Sequence, residues 1–455
     1  MKKIIAMRMG AFRLLVPVLL ALGLATTVAA APAINSTYQY FGPENFAHMT
    51  ANPVFRSLSY NQLQQLMESD GTFMVLFGGS WCPNTQAVIG QINDVANEYG
   101  VKTIYNFDWR IDGATMHLRD SKNTGAFLYV DFVNKYLSNI QVEYSADHTK
   151  DISYNDKDGK AMAAARLQVP FLFLYNRAAK DLKGNPAPIL ASYEKMLLWD
   201  KDFQTNGKDD PAKIEAYKKE IRPLFDAVST ASGAKKVATK LNYVDDLTLF
   251  AKGFNARAGG ATVIDPKDAP WVIRTVGYVE LRKLLESPGN YAIMFGGPWC
   301  PNTRAVIEVV NQYAKKYSID TVYMWDTRVD GNIFHLRDSK NAYANLYVDL
   351  VNKYFPGIVV EYGAMRERDI SYSDKDGKVV AAPRLQVPYV FVYNKDWKDA
   401  AGNPKPILDQ VELMYEWADM QSDYKDKDGK VGDHYKTYTA ALDKLYSAFA
   451  AKVKK

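Results

Sequence analysis

Cysteine is the scarcest functional residue in this chain, with two among 455 residues. Two sulfurs allow at most one bridge, so a disulfide-stapled scaffold is excluded and stability must come from packed cores. Charge of one sign is also nearly absent. The formal net charge is +5, and Lys2, Lys3, Arg8 and Arg13 place +4 of it in the first 30 residues, which hold no acid. The remainder is close to neutral, which removes the electrostatic footprint of a nucleic-acid-binding protein. Beyond the stretch Leu14-Leu15-Val16-Pro17-Val18-Leu19-Leu20-Ala21-Leu22, no apolar run approaches the length that spans a membrane. That stretch follows a basic start and leads to Val28-Ala29-Ala30, the pattern of an export signal cleaved after Ala30. The expected mature protein is exported, to a periplasm, cell envelope or extracellular space, and is not inserted in the membrane.

What is present is a duplication. From Val54 and Val272 onward the chain matches itself at a constant offset of 218, without a gap, as far as Trp199 and Trp417. More than half of the positions over residues 54–190 are identical in the two copies. A repeat of this length is a duplicated domain, not a solenoid. The expected organisation is a signal over 1–30, a first domain over 31–230, a linker over 231–267 and a second domain over 268–455. Within the linker Leu247, Leu249, Phe250 and Phe254 are apolar enough to pack on a domain.

Each copy has the same local pattern. A continuous apolar run, Phe73-Met74-Val75-Leu76-Phe77 or Tyr291-Ala292-Ile293-Met294-Phe295, has the length of a buried strand. Two glycines break it. Pro83 or Pro301 then opens a helix at the position where a missing N–H costs nothing. Val88, Ile92, Val95 and Tyr99 make one apolar face, repeated by Val306, Val310, Tyr313 and Tyr317. A strand over 103–107 (321–325) follows, then a long polar and aromatic stretch. A last strand comes after Val-Pro, over 171–175 (389–393), and each copy ends in a helix, over 214–225 and 438–449. This order gives an α/β fold class.

Cys82 and Cys300 fall at the start of the Pro-led helix, in the blocks Trp81-Cys82-Pro83-Asn84-Thr85 and Trp299-Cys300-Pro301-Asn302-Thr303. Unpaired N–H groups at a helix start favour an anion, and the reactive form of a thiol is an anion. His117 and His335 are the only histidines of five present in both copies; each is a candidate to move a proton to or from sulfur, or a surface residue. Arg110 and Arg328, in Asp-x-Arg-x-Asp-Gly, could pair with acids or hold an anion, but Asp-Gly reads first as a turn. Asp156-Lys157-Asp158-Gly159-Lys160 recurs at 374–378 and 426–430. In a calcium-loop frame the first and twelfth positions fall on residues such as Tyr154 and Ala165, which supply no carboxylate, so a hairpin turn is expected instead. No metal cluster or cofactor motif stands out. The 30 tyrosines and eight tryptophans read mainly as core and hairpin residues.

An apolar strand, Trp-Cys-Pro-x-x at a helix start and a later Val-Pro leading into a strand resemble the thioredoxin-like superfamily. The resemblance implies two tandem thioredoxin-like domains, each a central mixed sheet flanked by helices. It implies that Cys82 and Cys300 are attacking cysteines, that Trp81 and Trp299 precede them, and that Pro170 and Pro388 are cis-prolines beside the sulfur. The chain departs from the family where a resolving cysteine is expected, since Thr85 and Thr303 stand there. A single thiolate can hold a mixed disulfide but needs another thiol to release it; the threonine hydroxyl is expected to donate to the thiolate. An insertion of nearly sixty residues between Asp112 and Val-Pro is expected to cover or reshape the partner-binding face. The implied function is thiol-disulfide exchange with protein thiols or disulfides of client proteins, without cofactor or metal. The alternatives are a non-catalytic binding or chaperone-like module on the same fold, and a bridge between Cys82 and Cys300.

Overall fold

The chain enters its first sheet at β1 (Phe55–Ser57) and turns into α1 (Tyr60–Met67). Ser59 starts that helix by a reciprocal cap: its hydroxyl accepts from Gln62 N, and the Gln62 side chain returns to Ser59 N, pairing two of the N–H groups a helix start leaves open. The computed structural model describes residues 38–361, 363–420 and 433–453; the export signal expected over 1–30 and the third Asp-Lys-Asp-Gly-Lys stretch lie outside them.

β2 (Phe73–Phe77), α2 (Pro83–Glu98) and β3 (Ile104–Phe107) follow as the apolar patterns require. The long insertion then supplies α3 (Ala126–Tyr136) and a hairpin of β4 (Ile152–Asn155) and β5 (Ala161–Ala164). β6 (Phe171–Tyr175) comes after Val-Pro. It is not the last strand of the repeat, because β7 (Ile189–Glu194) pairs antiparallel with it; its mixed residues, half-exposed at a sheet edge, carry no continuous apolar run. A short hairpin, β8 (Gln204–Thr205) and β9 (Lys208–Asp209), leads to α4 (Pro211–Ala227). The segment between repeats folds as a hairpin of β10 (Thr230–Ser232) and β11 (Lys235–Val237), then α5 (Asp246–Asn255).

The second copy repeats the order: β12 (Ile273–Thr275), α6 (Tyr278–Glu286), β13 (Tyr291–Phe295), α7 (Pro301–Lys316) and β14 (Val322–Trp325). After them come α8 (Ala344–Tyr354), β15 (Ile370–Ser373), β16 (Val379–Ala382), β17 (Tyr389–Tyr393), β18 (Ile407–Val411) and α9 (His434–Val453).

Both sheets are mixed and five-stranded, ordered β1-β3-β2-β6-β7 and β12-β14-β13-β17-β18. The first three strands of each are parallel, and the fourth, β6 or β17, runs antiparallel to both of its neighbours. β2 is apolar throughout because both its faces are covered. Phe73, Val75 and Phe77 join Leu63, Leu66 and Phe132 of α1 and α3 on one side. Met74 and Leu76 join Val88, Ile92 and Ile221 of α2 and α4 on the other. The alternation is the two-residue period of a strand. The α1/α3 cluster of the first repeat is continuous with the α6/α8 cluster of the second. Phe250 and Phe254 of α5 join the other face of the second sheet, and Lys252 Nζ donates to Ser69 Oγ at 2.6 Å.

The Asp-Lys-Asp-Gly-Lys stretches at 156–160 and 374–378 are the turns of the β4–β5 and β15–β16 hairpins. Asp156 Oδ1 accepts from Asp158 N and Lys160 N, both at 2.9 Å, and Gly159 takes φ +77°, the left-handed region that favours glycine. Within the insertion, α3 buries Leu128, Tyr129, Val130, Phe132 and Val133 in the core.

Candidate functional site

The site begins with the two glycines after β2. A Cβ on Gly79 would stand 2.0 Å from Asp108 Oδ2 and 2.5 Å from Trp81 Nε1, and one on Gly78 would stand 2.9 Å from Thr85 Oγ1. Only glycine lets strand, tryptophan and aspartate meet this closely. Trp81 Nε1 donates to Asp108 at 2.9 Å, and the Arg110 guanidinium lies over the indole at 4.2 Å. The second repeat matches this, with Trp299 Nε1 to Asp326 Oδ1 at 2.7 Å and Arg328 over Trp299 at 3.9 Å.

Cys82 and Cys300 are the N-cap residues of α2 and α7, with Pro at the first helical position. Both sulfurs are free, so the bridge between them is not formed. Each is buried, 3% and 4% exposed. Cys82 Sγ donates to Val169 O at 3.4 Å and Cys300 Sγ to Val387 O at 3.2 Å. The bonds Val169–Pro170 and Val387–Pro388 are cis, so each sulfur sits against the carbonyl that precedes a cis-proline. The expected hydrogen bond from threonine to sulfur is not made. Thr85 and Thr303 are fully buried, and their hydroxyls have no partner, because each packs against the Gly-Gly backbone instead.

The segment before the cis-proline is clamped by residues that the sequence pattern did not single out. Arg119, 3% exposed, donates from Nη1 to Leu167 O. Tyr129 Oη donates to Ala165 O at 2.6 Å and accepts from Leu167 N at 2.9 Å. Arg337 and Tyr347 repeat the clamp on Leu385 and Pro383. Burial lowers the Arg119 pKa, and the nearby Cys82 and Asp108 act to raise it; the same burial brings Arg337 down to about 10. Asp108 and Asp326 are pushed up, to about 6 and about 7, chiefly by burial. Asp108, Arg119 and Tyr129 are all identical in the two copies, and that identity is the signal that could have found them.

His117 stands against Trp81 with ring centroids 6.0 Å apart, and His335 against Trp299 at 5.6 Å. Burial first, then neighbouring arginines, push His117 down to about 4 and His335 to about 3. Each imidazole is therefore neutral at pH 7 and weakly basic, a poor match for deprotonating a thiol. Asp112 is a turn residue: its carboxylate accepts from Ala114 N, Thr115 N and Met116 N, while Gly113 takes φ +71°.

No family model matches the chain, and no curated protein does. Among solved structures, the crystal structure of ERdj5, form I, is similar over 80% of this chain, at 10% identity and a TM-score of 0.18. The chain spans 28% of that structure's length. That likeness is too slight to carry an argument, and the site rests on its own geometry.

Proposed function

We propose that the protein is an exported thiol-disulfide oxidoreductase-like protein with two thioredoxin-like repeats, each acting through one cysteine. One observation carries the reading: in both repeats a free cysteine stands at the N-cap position of a helix, with its sulfur against the carbonyl of the residue before proline. The buried Arg119 and Arg337 support it, because each holds the chain two residues before that carbonyl, through Leu167 O and Leu385 O. The Cys82 or Cys300 thiolate attacks one sulfur of a client disulfide. A new S–S bond joins client and protein, and the client's other sulfur leaves as a thiolate and takes up a proton. With threonine at the resolving position, a second thiol from the client or a partner must release the adduct.

The near-complete burial of both sulfurs favours a second reading, a binding module that holds an extended client segment without exchange. A peptide closed by one disulfide separates the two. Exchange yields a covalent conjugate, seen by mass under non-reducing conditions, that disappears in the Cys82→Ser/Cys300→Ser variant. Equal peptide affinity in wild type and variant, with no conjugate in either, leaves only the binding module.

A further inference from the structure

Beside the Trp81 site a cleft of about 460 Å³ opens, far larger than the roughly 30 Å³ that one water occupies. Arg110, Arg119 and Arg166 line it together with Lys122 and Lys150, against the two carboxylates of Asp120 and Asp151. The acids are partly engaged, although Asp151 Oδ1 is buried without a hydrogen-bond partner. Asp120 Oδ1 accepts from Lys122 N at 3.0 Å, and Asp151 Oδ2 faces His148 Nδ1 at 3.1 Å. The Nε of all three arginines are buried without a hydrogen-bond partner. A buried donor left open costs about 1–3 kcal/mol, and several converging on one cleft mark a place built for an acceptor. Burial first, then Arg119, Arg110 and Arg166, lowers the basicity of His117, in keeping with the cleft's surplus of positive charge.

We propose that this cleft binds a multivalent oxyanion of the phosphate or sulfate type, free or carried as a monoester on a small molecule. The planar guanidinium fork matches such oxygens in pairs, and an excess of three cations over carboxylates suits a dianion better than a single carboxylate. The second repeat keeps Arg328, His335, Arg337 and Arg384, with Nε of Arg328 and Arg384 again open. Glu367 stands where the first repeat has Thr149, and Arg328 Nη1 is engaged by Asn332 O. The first-repeat cleft is therefore the tighter site.

Calorimetric titration of the protein with inorganic phosphate, inorganic sulfate and glycerol 1-phosphate, against sodium chloride of equal ionic strength, tests this. Heat with the inorganic ions identifies a free anion as sufficient, and heat with the monoester alone identifies an esterified one. Arg166→Gln should weaken the tighter site by roughly tenfold or more, the loss of one charge-assisted pair, and Lys150→Gln, at an exposed position, should weaken it less. The Cys82→Ser/Cys300→Ser variant should bind as wild type does, so this site stands or falls apart from thiol exchange. No heat beyond the salt control in wild type, or unchanged binding in both cleft variants, overturns the proposal.

Discussion

The two repeats hold one polar frame over two differently built cores. In the first, the end of β3 at Phe107 is followed by Asp108-Trp109; in the second, the end of β14 at Trp325 is followed by Asp326-Thr327. The aspartate that receives the tryptophan N–H is constant, while the large ring moves from one side of it to the other. Trp109 is fully buried and packs edge-on against Phe107, Phe77 and Tyr129 at 4.9, 5.2 and 5.0 Å. Trp325 instead packs on Phe295 at 5.0 Å and Tyr278 at 5.8 Å. The vacated position matters chemically, because Thr327 Oγ1 accepts from Arg337 Nε at 3.2 Å, whereas Arg119 Nε has no partner. The cores tolerate redistribution of aromatic volume; the cysteine, its tryptophan, the Gly-Gly pair and the arginine clamp do not vary.

Exchanging residues between repeats breaks this comparison most sharply. Trp109→Thr should lower unfolding free energy by about 3–5 kcal/mol, the cost of emptying a large buried site. The reverse change, Thr327→Trp, should cost about 1–3 kcal/mol by overpacking. Urea denaturation measures both, and two near-neutral results mean that the cores are not distinct.

Gly90 faces the chain before β1, where a Cβ would stand 1.8 Å from His48 O; its counterpart Glu308 is accommodated beside Asp268, in the chain before β12. Gly90→Glu should cost about 1–3 kcal/mol and expose the segment around His48 to limited proteolysis. Glu308→Gly should cost about 1 kcal/mol, the helix penalty of glycine. Thr327→Val should cost about 1–2 kcal/mol by leaving Arg337 Nε open as Arg119 Nε already is, again read by urea.

The comparison extends to pH dependence. Asp108 and Asp326 have folded pKa values of about 6 and about 7, above the free value of about 3.9. The folded state then holds more protons, so these groups favour folding at low pH and lose that contribution as pH rises through 6 and 7. His117 and His335, lowered to about 4 and about 3, act in the opposite sense, costing stability as pH falls below about 6.5. Asp108→Asn should therefore flatten the decline up to pH 6, and Asp326→Asn the part that reaches pH 7, in thermal melts across that range.

The strands, the Cys-bearing helices and the Asp-Gly hairpins were legible in the sequence because period and turn chemistry are local. The helices over 211–227 and 434–453 ran a turn beyond their apolar faces, where only the cap and solvent-side residues mark the ends. β7 escaped notice because a half-exposed edge strand lacks the apolar run of a central one. The clamp was legible only as identity between the copies, not as a contact: Arg119 reaches Leu167 across 48 residues, and nothing in its own neighbourhood distinguishes a buried arginine from a surface one. The threonine hydroxyls were misplaced for a related reason. Their distance from sulfur is set by how closely α2 and α7 approach the glycines, a tertiary quantity.

The central claim is that both sulfurs, though buried, react in the folded protein. Native protein mixed with 2,2′-dipyridyl disulfide measures this directly, since each thiol that exchanges releases one coloured thione. Two equivalents from wild type, one from Cys82→Ser or Cys300→Ser alone and none from the double variant, with the fold retained by circular dichroism, is the expected result. Release that begins only when the protein is unfolded would contradict it, and Cys82 and Cys300 would then be core residues of a duplicated binding fold.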